Sequence, residues 1–209
     1  MKPDIREVLR YLGADENAPE ELRRKVEEVG AAVNLHPRWT WRVISLDESC
    51  PLSLEGKMAR SMLEQCRQAV VLCCTMGTEF DTMLRSWQAR DMSRAVILDA
   101  WGSALVEVGC DTAEREIAAR IPDLYLTDRF SPGYGDLPLA LQEPICRLLD
   151  LQRRLGVYVS EKYFLTPRKT VTAIIGLSEK PQMARIRGCD HCAMQETCLL
   201  RKGGKTCAL

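Results

Sequence analysis

The stretch Met92–Val108, MSRAVILDAWGSALVEV, is apolar on nearly every side. A surface helix carries a single apolar stripe, so a segment apolar all round belongs in an interior. This predicts a central buried helix with Gly109 as its stop. The rest of the chain has to surround it. Ala69–Cys74, AVVLCC, is short, continuous and rich in Val, which predicts a strand buried on both faces. WTWRVIS alternates Trp39, Trp41 and Val43 with Thr40 and Arg42, the pattern of a half-buried strand. Further strands are expected over Leu124–Phe130, in VYVS, and over Thr170–Ser178.

Helical spacing fills the gaps. Ile5, Val8, Leu9 and Leu12 form one stripe that Gly13 ends. Leu22, Val26, Val29 and Val33 form another, with Asn17 as cap and Pro19 in the first turn. A third helix is expected from Ser53, with Leu54, Met58, Met62 and Cys66 on one side. A fourth follows TMGTEFD, capped by Thr78. A short amphipathic helix opens at Asp111, with Glu114 in capping-box spacing. The last runs through ICRLLDLQRRLG to Gly156, with Pro144 tolerable only in its first turn. This order lacks regular βα alternation and favours α+β over a doubly wound sheet. The expected architecture is one domain over residues 1–178, a twisted, largely antiparallel sheet packed with helices. A small Cys-rich tail would follow over 179–209.

Composition narrows the function classes. The chain has 209 residues, enough for a sizeable core, and its 46% hydrophobic and 28% charged content is that of a soluble globular protein. Lys+Arg and Asp+Glu balance at 29 each, so no global charge points to nucleic acid or membrane. From Lys180 onward six Lys or Arg face two Asp or Glu, a net of +4, which leaves −4 on the body. MKPDIREVLRYLG has no apolar core of signal-peptide length, so a cytoplasmic location is expected. In that compartment the ten Cys read as buried thiols, metal ligands or redox groups rather than a disulfide scaffold. Cys73 and Cys74, in the most apolar strand, read as inert core thiols.

TDRFSPGYGDLPLALQ, Thr127 to Gln142, is the richest segment chemically. As a plain turn, Gly133 supplies a positive φ after Pro132, Asp136 bonds nearby backbone N–H groups, and Pro138 enters the next helix. Residue types alone favour that reading. A functional reading adds the planar fork of Arg129, able to hold a carboxylate by two charge-assisted hydrogen bonds. Gly133 and Gly135 let backbone amides approach a ligand, and Tyr134 offers a flat ring and a hydroxyl.

RFSPGYGDLP resembles the Arg-x-x-x-Gly-Tyr-x-x-x-Pro signature of the activation domain of cobalamin-dependent methionine synthase. LGVYVSEKYFLTPRKTVTAIIGLS is similar to the segment that follows it in that family, and EVLRYLG and LDAWGSALVE to its free-standing versions. The resemblance covers roughly residues 1–178 and is most specific over 129–178. It implies binding of S-adenosylmethionine and reductive methylation of an oxidised cobalamin, with an electron from a flavodoxin- or ferredoxin-type donor. By position, Arg129 would clamp the methionine carboxylate, Ser131 would give backbone contacts, and Tyr134 would lie near the sulfonium and the corrin. Pro132 and Gly133 would shape the turn, and Glu107 would meet the ammonium. The chain has no Asp-x-His-x-x-Gly cobalamin motif, and its two histidines, His36 and His191, stand outside any such pattern. The cobalamin would therefore sit on a separate methionine synthase or other corrinoid protein. This chain would be an accessory component of that methyltransferase system.

Cys189, Cys192, Cys198 and Cys207 are spaced C-x2-C-x5-C-x8-C. A CxxC pair brings two thiolates to one metal, and two more complete a tetrahedral set. Tail apolar periodicity is absent, so a metal is the natural nucleus of order, against the alternative of clustered surface thiols. The single CxxC and compact spacing fit a [4Fe–4S] cluster, whose charge Arg201, Lys202 and Lys205 would offset; zinc fits as well. Rival readings of the whole are a zinc-tailed interaction module and an iron–sulfur electron-transfer protein that does not bind S-adenosylmethionine. Anaerobically reconstituted protein is expected to carry metal lost in a Cys189→Ala/Cys192→Ala variant. Broad visible absorbance identifies iron–sulfur, and a colourless protein with stoichiometric zinc excludes it.

Overall fold

The computed structural model describes residues 2–15 and 17–182. Among the described residues seven α-helices surround one four-stranded sheet. Helices α1 (Ile5–Tyr11), α2 (Glu20–Ala32), α4 (Gly77–Gln88) and α5 (Met92–Arg120) cover one face. Helices α3 (Lys57–Leu63), α6 (Gln142–Leu148) and α7 (Leu151–Leu155) cover the other. The strands are β1 (Arg38–Ser45), β2 (Cys66–Thr75), β3 (Tyr125–Leu126) and β6 (Thr170–Ser178), ordered β1-β2-β6-β3 with every pair antiparallel. A two-stranded hairpin, β4 (Tyr158–Val159) and β5 (Leu165–Thr166), stands apart from this sheet. The α+β class expected from the order of elements is the one found.

The central strands are apolar on both faces because helices lie on both. Along β2, Val70, Leu72 and Cys74 pack with α5 and its neighbours, while Ala69, Val71 and Cys73 face α3, α6 and α7. On β6, Ile175 and Leu177 take the first side and Ile174 the second. This is the period-2 alternation of a strand with two buried faces. Cys73 and Cys74 are both fully buried core thiols, and burial pushes the Cys73 thiol up.

Helix α5 departs from the expected pair of helices. It is continuous for 29 residues, through Gly109 and Asp111 to Arg120. Gly109 is not a stop. A Cβ there would stand 2.6 Å from both Cys74 Sγ and Pro37 Cβ, so its role is clearance for the sheet beneath. Asp91, not Asp111, caps the helix, accepting from Arg94 N at 3.1 Å. The far end is tied to β1, where the indoles of Trp39 and Trp41 donate to the two Glu116 carboxylate oxygens at 3.0 and 3.4 Å. The Trp39 bond is the chief reason the Glu116 carboxyl sits below its ordinary pKa.

Other boundaries moved for tertiary reasons. The helix expected from Ser53 starts at Lys57 and ends at Leu63, because Cys66 opens β2 opposite Ser178. Pro19 rather than Asn17 precedes α2, and Met76 rather than Thr78 precedes α4, where Gly77 N donates to Thr75 Oγ1 at 3.1 Å. The segment ICRLLDLQRRLG is two helices, broken at Asp150, whose φ is 50°. Gly156 ends the second with φ 67°.

Helices α2 and α5 touch so closely that a Cβ on Gly30 would lie 2.1 Å from the Trp101 ring, whose Nε1 is fixed by a 2.8 Å bond to Val26 O. Alanine at an ordinary helix position gains about 1 kcal/mol over glycine. Overpacking costs about 1–3 kcal/mol, and the anchored ring cannot yield. Gly30→Ala is therefore expected to lower the urea midpoint with the slope unchanged.

Candidate functional site

In its middle, helix α5 is covered on almost all sides. Between residues 95 and 110 only Val96, Asp99, Ser103, Glu107 and Val108 escape burial. The first four recur at spacings of three and four, which places them on one face. A helix otherwise enclosed thus keeps one open stripe, and neighbouring elements bring side chains to its edges.

At its N-terminal end the stripe floors a cavity of about 320 Å³ lined by Tyr11, Met92, Val96, Asp99, Ser103 and Arg168, among others. Met92 and Val96 are 61% and 54% exposed. Lys169, from the chain entering β6, donates through Nζ to Asp99 Oδ2 at 2.9 Å and Ser103 Oγ at 2.8 Å. The adjacent Arg168 N donates to Asp81 Oδ2 at 3.0 Å. Asp81 Oδ1 is buried with no hydrogen-bond partner among the described residues. Tyr11 joins the two ends of the stripe. Burial, then the charge of Glu107, raises its phenol pKa, and Arg10 stacks on its ring at 4.5 Å.

At the other end Arg129 meets three carboxylates on successive turns of α5. Nη1 donates to Asp111 Oδ1 at 2.7 Å and to Glu114 Oε1, and Nη2 donates to Glu107 Oε2. The Arg129 side chain is 17% exposed, against 39% for Glu107 and 53% for Asp111. Burial opposes its charge, but Glu114 and Glu107 outweigh that and raise its pKa. Four formal charges sum to −2 here. Asp111 and Glu114, read from sequence as a capping box, instead lie inside the helix and hold Arg129. Among the described residues the Nε–H and one Nη2–H of Arg129 make no hydrogen bond.

The turn after Arg129 is bound at both ends. Phe130 exchanges two backbone hydrogen bonds with Ile174 of β6, at 3.0 and 2.8 Å, and its ring enters the core opposite α5. Gly133 N donates to Leu137 O at 2.8 Å with φ at 87°. Tyr134 N donates to Ser131 O at 3.0 Å, so the Ser131 carbonyl is engaged inside the turn. Pro132 is buried and Tyr134 half-buried. Asp136 reaches across the fold to accept from Lys57 N and Met58 N, at 2.5 and 3.1 Å. Its bonds are to the first turn of α3, not to its own turn.

The structure therefore joins Glu107 directly to Arg129, while Asp136 is bonded to α3 and Gly135 lies against the Met58 side chain. Sequence reasoning missed Asp111, Glu114, Asp99, Ser103, Lys169 and Tyr11 as neighbours of the site. The available signal was the i, i+4 row of polar residues cut into an otherwise apolar helix. Cys189, Cys192, Cys198 and Cys207 lie outside the described residues. Among the described residues no group of three His, Cys, Asp or Glu side chains could hold a metal ion, and no helix is long and apolar enough to cross a membrane.

The Lys57 and Met58 backbone bonds hold the Asp136 carboxyl below its ordinary pKa of 3.8. A depressed carboxyl contributes stability above its unfolded pKa and loses it as pH falls through the folded one. Asp136→Ala is expected to be less stable than the wild type at pH 7. Denaturation midpoints should converge as pH drops below 3.8.

Neither a family model nor a curated protein matches the sequence. Among solved structures the chain is similar to the crystal structure of the MetH reactivation domain bound to AdoHcy. The TM-score is 0.61 at 16% identity, over 94% of this chain and 76% of that one. At that identity the likeness shows the fold.

Proposed function

We propose that this protein binds S-adenosylmethionine on the open stripe of α5 and supports reductive methylation of oxidised cobalamin carried by a separate methionine synthase or other corrinoid protein. The observation that carries the reading is Arg129. It is the first residue of the Arg-x-x-x-Gly-Tyr pattern, and it is held against the stripe of α5 in a fold similar to a reactivation domain that binds AdoHcy. When bound, S-adenosylmethionine supplies the methyl group, and an electron from a flavodoxin- or ferredoxin-type donor reduces the partner's cobalamin.

The residues suit a ligand with a carboxylate, an ammonium and a sulfonium. Among the described residues the Nε–H and one Nη2–H of Arg129 are left to donate charge-assisted hydrogen bonds to a carboxylate. Glu107 and Asp111, both reached by solvent, carry the negative surplus that attracts the two cationic groups. The same carboxylates fix the Arg129 side chain before the ligand arrives, which lowers the ordering cost of binding. Ser131, Pro132 and Gly133 shape a turn closed by its own hydrogen bonds, and Tyr134 on that turn would lie near the sulfonium and the corrin. The tail cysteines 189, 192, 198 and 207 would hold an iron–sulfur cluster or zinc.

Calorimetry with S-adenosylmethionine tests the pocket. Arg129→Ala removes charge-assisted bonds worth roughly 1.5–3 kcal/mol, so binding should weaken about tenfold to a hundredfold. Unchanged heat in that variant would count against the pocket. Mixing the protein with a cob(II)alamin-bearing partner, a reductant and S-adenosylmethionine should then give the methylcobalamin spectrum.

A further inference from the structure

Strand β1 is outermost in the order β1-β2-β6-β3 and runs for 8 residues, and the described residues add no strand beyond it. Its bonds to β2 fall on the even positions. Leu46 N, in the same register, donates to Arg67 O at 2.9 Å, and bonded positions alternate along an antiparallel pair. The N–H and C=O groups of Trp39, Trp41 and Val43 therefore point away from the sheet. Among the described residues these groups make no hydrogen bond. The pairing of β1 with β2 has no bulge that would twist this edge aside. Such an edge is a template for another extended chain.

The two faces beside the edge differ in chemistry. Trp39, Trp41 and Val43, each half-buried, lie on the α5 side. The charges there cancel, since Glu116 accepts from both indoles and pairs with Arg120, which stacks on Trp41. Arg38, Thr40, Arg42 and the buried Ile44 lie on the α7 side. The side chains of Arg38 and Arg42 are exposed and form no ion pair among the described residues. Arg154 of α7, also exposed, donates to Thr40 Oγ1 at 2.6 Å. Glu79 stands near Arg38, both beside Gly77. Arg153 is already paired with Asp150, and Asp47, past the end of the strand, is bonded to Ser49. Arg38, Arg42 and Arg154 against Glu79 leave this face at +2.

We infer that β1 takes an extended acidic segment of another protein as an added antiparallel strand, its acidic side chains over Arg38, Arg42 and Arg154 and the alternate, apolar ones over Trp41 and Val43. Main-chain bonds to Trp39, Trp41 and Val43 supply the affinity, and the two unlike faces supply the selection. Charge decides the occupant. A second copy does not fit. Antiparallel pairing of β1 with itself about Trp41 sets Arg42 opposite the second copy's Thr40, whose hydroxyl holds an Arg154, and pairing about Arg42 sets that residue opposite itself. Like charges directly opposite destabilise a strand pair. The chain's own residues 183–209 do not fit either, since five Lys or Arg there face two Asp or Glu, a net of +3.

The test uses the full chain and a labelled, end-capped peptide of alternating Glu and Val that matches β1 in length, with binding read by fluorescence anisotropy. The wild type should bind this peptide, and added salt should weaken the complex. A Lys–Val peptide should bind about tenfold more weakly, and so should the Glu–Val peptide to an Arg38→Glu/Arg42→Glu variant with an unchanged urea midpoint. Residues opposite each other in an antiparallel pair share a face, so the valine N–H groups are the ones that meet β1. N-methylation of the valines should weaken binding about tenfold, and N-methylation of the glutamates should leave it within about twofold. These peptides need only the wild-type protein, so a variant that fails to fold leaves the inference open to refutation. No binding by the wild type overturns it. Equal binding of the Glu and Lys peptides does so too, as does a loss on methylating Glu rather than Val. A dimer of the free protein in sedimentation would make a second copy the occupant and overturn it as well.

Discussion

The packing of one 29-residue helix across β2 and β6 governs the architecture. Because α5 is clothed by the sheet beneath and by α1, α2 and α4 beside it, its surface between residues 95 and 110 is used up almost entirely in making the core. Glycines at the tightest crossings, Gly30 against Trp101 and Gly109 against Cys74, set how close those layers come. What that stretch leaves to solvent is then narrow, essentially one row of side chains. The same enclosure that stabilises the helix defines the site.

The electrostatics of that row follow from burial. Arg129 is largely withdrawn from water, and an isolated cation there would be costly. Three carboxylates spaced along α5 meet it, and they exceed what neutrality needs. Lys169, between Asp99 and Ser103, repeats the arrangement at the other end in simpler form. A row of paired charges with a negative excess matches a zwitterionic ligand that carries an extra positive charge. It gives little purchase to a bare phosphate. The turn from Ser131 to Asp136 contributes position. It is stitched to β6 through Phe130 and to α3 through Asp136, so the side chains it carries are held between two layers.

Much of the scaffold was legible in the chain because its strongest patterns report burial. The all-round apolar run of α5, the unbroken run of β2 and the Trp39–Val43 alternation of β1 all lie where those patterns put them. The errors were local rules overruled at a distance. Gly109 looked like a helix stop and is a contact with Cys74 and Pro37, while Cys66 looked helical and is paired with Ser178. VYVS reads as a strand and is one, yet it pairs with Leu165–Thr166 rather than joining the main sheet. Nothing in its own residues specifies the partner.

The sequence by itself determined the fold class, the buried helix and the segment that carries Arg129, since hydrophobic period and turn chemistry act over a few neighbouring residues. Only the tertiary structure decided what Arg129 touches. Its bonds to Glu107, Asp111 and Glu114 span 22, 18 and 15 residues. They exist because antiparallel pairing of Phe130 with Ile174 lays the segment beside α5. The open stripe is likewise a remainder, visible once every other side of the helix is covered.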